Sequence, residues 1–147
     1  MTLEQWHRNG WLRPHATSRE EIQNLLGIAD RDIDDAQEEE LSTDWRFGIA
    51  YNAELKLCTV LLYASGYRPE RNRAHFRTLQ ALPEVLGAGR KADADYLDAC
   101  RIKRNTVEYD YVGATTAAEA EELIEFAKTL RKNVSEWLKA NRPDLAG

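Results

Sequence analysis

TDWRFGIAYNAELKLCTVLLYA, residues 43–64, is the stretch that decides the fold. Wound as a helix, it carries Trp45, Phe47, Ile49, Ala50, Ala53, Leu57, Cys58, Val60, Leu61 and Leu62 around most of its circumference. A surface helix buries one stripe, whereas a helix that is apolar nearly all round has to be surrounded. The stretch therefore predicts a buried central helix from about Thr43 to Ala64. It is not a membrane span, because Asn52, Glu54 and Lys56 interrupt its only long apolar tract, Ile49 to Ala64.

Working towards the amino terminus, Ser18-Arg-Glu-Glu21 has the form of a capping box, in which each end's side chain satisfies the other's free amide. Ile22, Leu25, Leu26, Ala29, Ile33 and Ala36 follow at helical spacing, with Asp30, Asp34, Asp35 and Glu38 largely on the other side. Before them lies a short amphipathic start around Leu3 to Leu12, then Pro14; Trp6, Trp11, His7 and His15 make this segment a strap over the bundle. Working towards the carboxyl terminus, Gly66-Tyr-Arg-Pro69 stops the central helix and a basic connector, Arg68 to Arg73, follows. A shorter helix is predicted from about Ala74 to Leu86, a turn at Gly87-Ala-Gly89, and a further helix over Lys91 to Tyr109. Thr116-Ala-Ala-Glu119 is a second capping box, after which Ala120, Leu123, Ala127, Leu130, Val134 and Trp137 step by three and four until Asn141-Arg-Pro143. No segment reads as a strand. The expected fold class is all-α, an antiparallel bundle of four main helices with one or two additional short helices, as a single domain over residues 1–147.

At 147 residues and 16.8 kDa the chain has the size of one domain, which excludes a large multidomain enzyme. Its net charge of −5 is unevenly spread: nine acids face Arg31 alone between Glu20 and Glu40, whereas nine bases face five acids between Arg68 and Arg104. A local basic surface is compatible with the acidic total. Cys58 and Cys100 both lie in periodic apolar segments and are expected as buried thiols, without zinc-like spacing. The opening residues lack the basic patch, apolar run and cleavage site of a secretory signal, so the expected compartment is the cytoplasm. No metal or cofactor is expected, since no phosphate-binding glycine loop or metal-ligand cluster occurs.

Chemistry concentrates in Cys100-Arg-Ile-Lys-Arg-Asn-Thr-Val-Glu-Tyr-Asp-Tyr111. On one helix Leu97, Cys100, Arg104 and Tyr111 share a face, so Arg104 continues an apolar stripe. A guanidinium there has to be paired or to bind an anion such as phosphate. Glu108, four residues on, is the intrahelical partner that would make the arrangement purely structural.

Arg-x-Lys-Arg-Asn-x-x-x-Tyr-Asp, preceded by Asp95-Tyr-Leu-Asp-Ala-Cys100 and followed by a long acidic helix, resembles the HEPN superfamily of prokaryotic toxin–antitoxin and defence systems. The likeness extends through Asn9-Gly-Trp-Leu-Arg-Pro14, Ala50-Tyr-Asn-Ala53, Ser65-Gly-Tyr-Arg-Pro69 and His75-Phe-Arg-Thr-Leu-Gln-Ala-Leu-Pro83. It implies a helical bundle that forms a homodimer and brings two copies of an Arg-plus-polar motif, followed after four to six residues by His, into one cleft. Active members resemble metal-independent endoribonucleases, in which Arg steadies the scissile phosphate and His handles the proton. Carried across, Arg104 matches the Arg and Asn105 the polar residue, while Tyr109 stands where the His is expected. A phenol with an ordinary pKa near 10 is a poor base at neutral pH, which weakens the catalytic implication; Tyr109 suits hydrogen bonding to phosphate or stacking on a base. Glu108 and Asp110 are the other candidate bases, and each is equally a partner for Arg101, Lys103 or Arg104. Tyr111 has the offset of a tyrosine that nucleotidyltransferase antitoxins modify with adenylate in toxins of this type; the alternative is a helix-end tyrosine packed on the core.

Candidate RNA- or phosphate-binding residues are therefore Arg101, Lys103, Arg104 and His75, and the candidate catalytic set is Arg104, Asn105 and Tyr109. His75 lies near Arg71, Arg73 and Arg77 in sequence, where it can join a basic rim or bring the missing imidazole across space. Two functions are in view: a HEPN-like RNA- or nucleotide-directed module with weakened or lost endoribonuclease chemistry, and a non-catalytic dimeric interaction protein whose Arg104 cluster is a salt-bridge network.

Overall fold

The computed structural model describes residues 1–109 and 115–147, with residues 106–109 described in backbone only. The described residues are mostly helical: α1 (Leu3–Arg8), α2 (Arg19–Ala36), α3 (Thr43–Ala64), α4 (Ala74–Gln80), α5 (Leu82–Leu86), α6 (Lys91–Tyr109) and α7 (Ala117–Asn141). Among them no helix is long and apolar enough to cross a membrane.

The central stretch forms α3 with the limits its sequence suggests, started by Ser42, whose hydroxyl accepts from the Trp45 amide. It is buried nearly all round, as its composition requires, with Phe47, Ala50, Leu57, Val60, Leu61 and Leu62 in the core. Trp45, in the first turn, is an exception to the expected burial and is 66% exposed.

Cross-helix contacts give the directions of the packing. Asn52 donates to Asp32 (2.5 Å) and the Arg46 guanidinium donates to the Ala36 carbonyl (2.8 Å), so α2 runs antiparallel to α3. Arg46 also pairs with Glu121 (2.5 Å), and Arg142 donates to the Ala64 carbonyl (2.7 Å), so α7 lies parallel to α3. Lys103 pairs with Glu119 (3.0 Å) and Arg90 donates to Asn133 (2.9 Å), which sets α6 antiparallel to α7. The α7 seam enters the core through Ala120, Leu123, Ala127, Leu130 and Val134, and its capping box is closed, with Thr116 and Glu119 each accepting from the other's amide.

Four local expectations need correction. The box at Ser18 is half made: Ser18 accepts from the Glu21 amide, but the Glu21 carboxylate instead accepts from Thr17 (2.7 Å) and meets His15 (2.6 Å), which lowers the Glu21 pKa. The amino-terminal helix ends at Arg8, and Leu12 belongs to a strand. That strand, β1 (Leu12–Pro14), pairs antiparallel with β2 (Tyr67–Pro69), where no strand was expected; three residues are too few for an alternation to register. The ribbon rests on a small apolar cluster of Trp6, Leu12, Leu62 and Ala81. Finally, the segment from Ala74 to Leu86 is two helices, because Pro83 lacks an amide and sits in the first turn of α5 rather than continuing α4.

Candidate functional site

The β1–β2 ribbon positions the basic connector. The Glu70 amide donates to the Trp11 carbonyl (2.9 Å) and the Glu70 carboxylate pairs with Arg13, so the chain leaves β2 anchored at Glu70 and delivers Arg71 and Arg73 to the start of α4. Arg73 is the one non-glycine residue with a left-handed backbone among the described residues, at φ 58° and ψ 34°. From it α4 projects His75 and Phe76 towards α6, which supplies Arg101. Arg71, Arg73, Ala74, His75, Phe76 and Arg101 line an open cleft of about 340 Å³.

Cations dominate the cleft. Although His75 is exposed, desolvation by the protein around its ring lowers its pKa, and the nearby charges of Arg104, Lys56 and Arg101 act in the same direction. Each of these effects favours the neutral imidazole, whose lone pair can take a proton. Arg104, three residues beyond Arg101 on α6, lies with its Cζ 5.7 Å from the centroid of the Tyr51 ring. Arg101 is partly neutralised by Asp98 (2.8 Å).

The structure thus brings His75, Arg101 and Arg104 into one electrostatic neighbourhood, on α4 and α6. Lys103 points elsewhere, to the first turn of α7, where its amine holds Glu119. Asn105 is exposed. The side chains of Glu108 and Tyr109, together with Asp110 and Tyr111, lie outside the described residues. Leu97 and Cys100 are buried on the stripe that Arg104 extends.

Behind this wall lies a group that the sequence reading passed over as an interruption of an apolar tract. Glu54 is fully buried on α3, and neither carboxylate oxygen has a hydrogen-bond partner among the described residues; the same holds for the Tyr51 hydroxyl. Burial raises the Glu54 pKa well above the carboxylate range. Burial likewise pushes up the Cys58 and Cys100 thiols, the latter to about 12, with Glu54 adding to both, so neither is a nucleophile. The signal was present: Tyr51, Glu54, Cys58 and Leu61 step by three, four and three along one stripe.

Among the described residues no group of three or more His, Cys, Asp or Glu is placed to hold a metal. No family model matches the chain, and no curated protein or solved structure matches it.

Proposed function

We propose that the protein is a HEPN-like, RNA-directed module that holds RNA phosphates in the basic cleft between α4 and α6, working as a homodimer as the sequence resemblance implies. The observation that carries the reading is the gathering of Arg71, Arg73, His75 and Arg101 around one open cavity, with Arg104 beside it. Like charges repel, and the arrangement leaves a field that an anion completes. Phosphodiester oxygens match guanidinium geometry, and a 2′-hydroxyl can give a hydrogen bond to the imidazole lone pair.

The test is equilibrium binding to a labelled single-stranded RNA. Binding in the micromolar range at low salt is expected, with log K falling by about 0.7 per phosphate contact for each decade of salt. Arg104→Ala should weaken it severalfold. Absence of binding at low salt, or affinity indifferent to Arg104→Ala, removes the proposal.

Acidification supplies an independent check. Because the His75 pKa is held below its ordinary value, lowering the pH through and below about 6.5 adds a positive charge to the cleft. RNA phosphates stay ionised over that range, so affinity should rise as the pH falls, and His75→Gln should remove most of the rise. A pH profile identical in wild type and His75→Gln would place the imidazole outside the binding site.

The second reading, a non-catalytic interaction protein, has its own observation. The Asp98–Arg101 and Lys103–Glu119 pairs already engage two members of the basic cluster within the chain. It is the reading left standing if a folded protein ignores RNA.

A further inference from the structure

Along the α4 wall, Trp11, Arg77, Phe76 and Arg73 alternate aromatic ring and guanidinium. The Arg77 Cζ lies 3.8 Å from the Trp11 ring centroid and 5.6 Å from that of Phe76, and the Arg73 Cζ lies 4.0 Å from the same Phe76 centroid. Arg101 approaches that ring from α6, at 5.9 Å. Three guanidinium groups around one benzene ring repel one another, and the Arg77 pKa is lowered by burial and by Arg73. The ring faces offset that repulsion, since a quadrupole attracts a cation laid over it.

Arg73 lies at the end of this series of contacts and is exposed. Its left-handed backbone costs energy for any residue with a Cβ, yet it is the conformation from which the guanidinium reaches Phe76. Capturing a phosphate needs only a positive charge, which an unstrained lysine or arginine supplies. A guanidinium held against a ring at the mouth of a cationic cleft does something more: it offers a flat, prepositioned surface at low entropic cost. Unpaired bases stack on such planes.

We propose that Arg73 and Phe76 form a nucleobase-stacking subsite, so that the cleft selects single-stranded RNA through an unpaired base as well as through its phosphates. The proposal rests on the RNA reading of the same cleft. Arg73 would contact the base directly, and Phe76 would hold the plane of Arg73 in place.

The test compares two probes on the full chain: an oligouridylate, and an abasic ribose–phosphate oligomer of the same length and charge. Wild type is expected to prefer the base-bearing oligomer by roughly tenfold, as one stacked base provides. Arg73→Lys keeps the charge and the backbone cost but removes the plane, and should bring that ratio close to one. Phe76→Leu, which frees the Arg73 side chain while retaining every positive charge, should do the same. Equal affinity for the two probes in wild type, or a ratio that survives Arg73→Lys in a folded variant, overturns the stacking subsite while leaving phosphate binding intact. Failure of both probes to bind overturns the RNA reading itself.

Discussion

Glu54→Leu is expected to stabilise the protein by about 1–3 kcal/mol at neutral pH, the range set by the desolvation penalty of a buried polar group without a partner. Glu54 is enclosed by α3 and its neighbours, with the Tyr51 hydroxyl and the Cys58 and Cys100 thiols as the polar groups its charge reaches. A leucine of similar volume would remove two unsatisfied oxygens and fill the same space. The pH dependence follows from the direction of the shift. A carboxyl whose folded pKa is raised binds more protons folded than unfolded, so stability falls as pH rises from the unfolded value, about 4.3, towards the folded one. Wild type should therefore lose stability across that window more steeply than Glu54→Leu or Glu54→Gln. Gln retains the polar burden but cannot ionise, so it should flatten the profile while gaining less. The measurement is the thermal midpoint from acid to neutral pH for the three proteins. A leucine variant less stable than wild type at pH 7 would mean that Glu54 is satisfied in solution by a group such as an internal water.

That cost sits one turn along α3 from Tyr51, whose ring has the Arg104 guanidinium near it. Departures from good local chemistry concentrate where a protein does its work, and here both departures border the basic cluster. One is the orphaned carboxyl; the other is the left-handed arginine.

How much of this was legible in the sequence depended on the length of the signal. The 22 residues of α3 and the 25 of α7 carry enough turns for their patterns to fix burial and limits, and the Thr116 box marks the α7 start. The Ser18 box misleads because the Glu21 carboxylate has competing partners just outside the motif, Thr17 four residues and His15 six residues before it, which draw it away from the Ser18 amide. The β1–β2 ribbon leaves almost no local trace: its three-residue strands are held by Leu12 against Leu62 and by Glu70, contacts across 50 or more residues of chain. Trp45 shows the limit of composition, since an apolar residue near the end of a buried helix can still face solvent while its neighbours Asp44 and Arg46 are half-buried.

The candidate site was legible in part and for a similar reason. A helical stripe through Leu97, Cys100 and Arg104 is a local property, and the sequence shows it. That His75 meets Arg101 and Arg104 depends on α4 packing against α6, which no local pattern encodes. Lys103 illustrates the converse: it adjoins Arg104 in sequence, but a step of one residue turns it about 100° round the helix, towards Glu119. The stack on Phe76 was the least visible, since it needs the ribbon to bring Trp11 under Arg77 and the backbone of Arg73 to turn left-handed.

That backbone separates fold from function in the remaining prediction. Arg73→Gly and Arg73→Ala both delete the guanidinium, so both are expected to lose RNA affinity by roughly tenfold, through the loss of a phosphate contact and a stacking plane. Their stabilities should differ. At φ 58° alanine retains the Cβ clash that arginine bears, whereas glycine adopts the left-handed region without penalty. The glycine variant should be the more stable of the two by about 1 kcal/mol, even though glycine is the more costly residue to order from the unfolded chain. Chemical denaturation gives the first quantity and RNA titration the second. Equal stability of the two variants would show that the Arg73 backbone relaxes without cost, which removes the case that strain is maintained there for the guanidinium's position. Unaltered RNA binding in both would exclude Arg73 from the site. The expected pairing, glycine more stable than alanine and both deficient in RNA, is what distinguishes a residue kept for its side chain from one kept for its place in the fold.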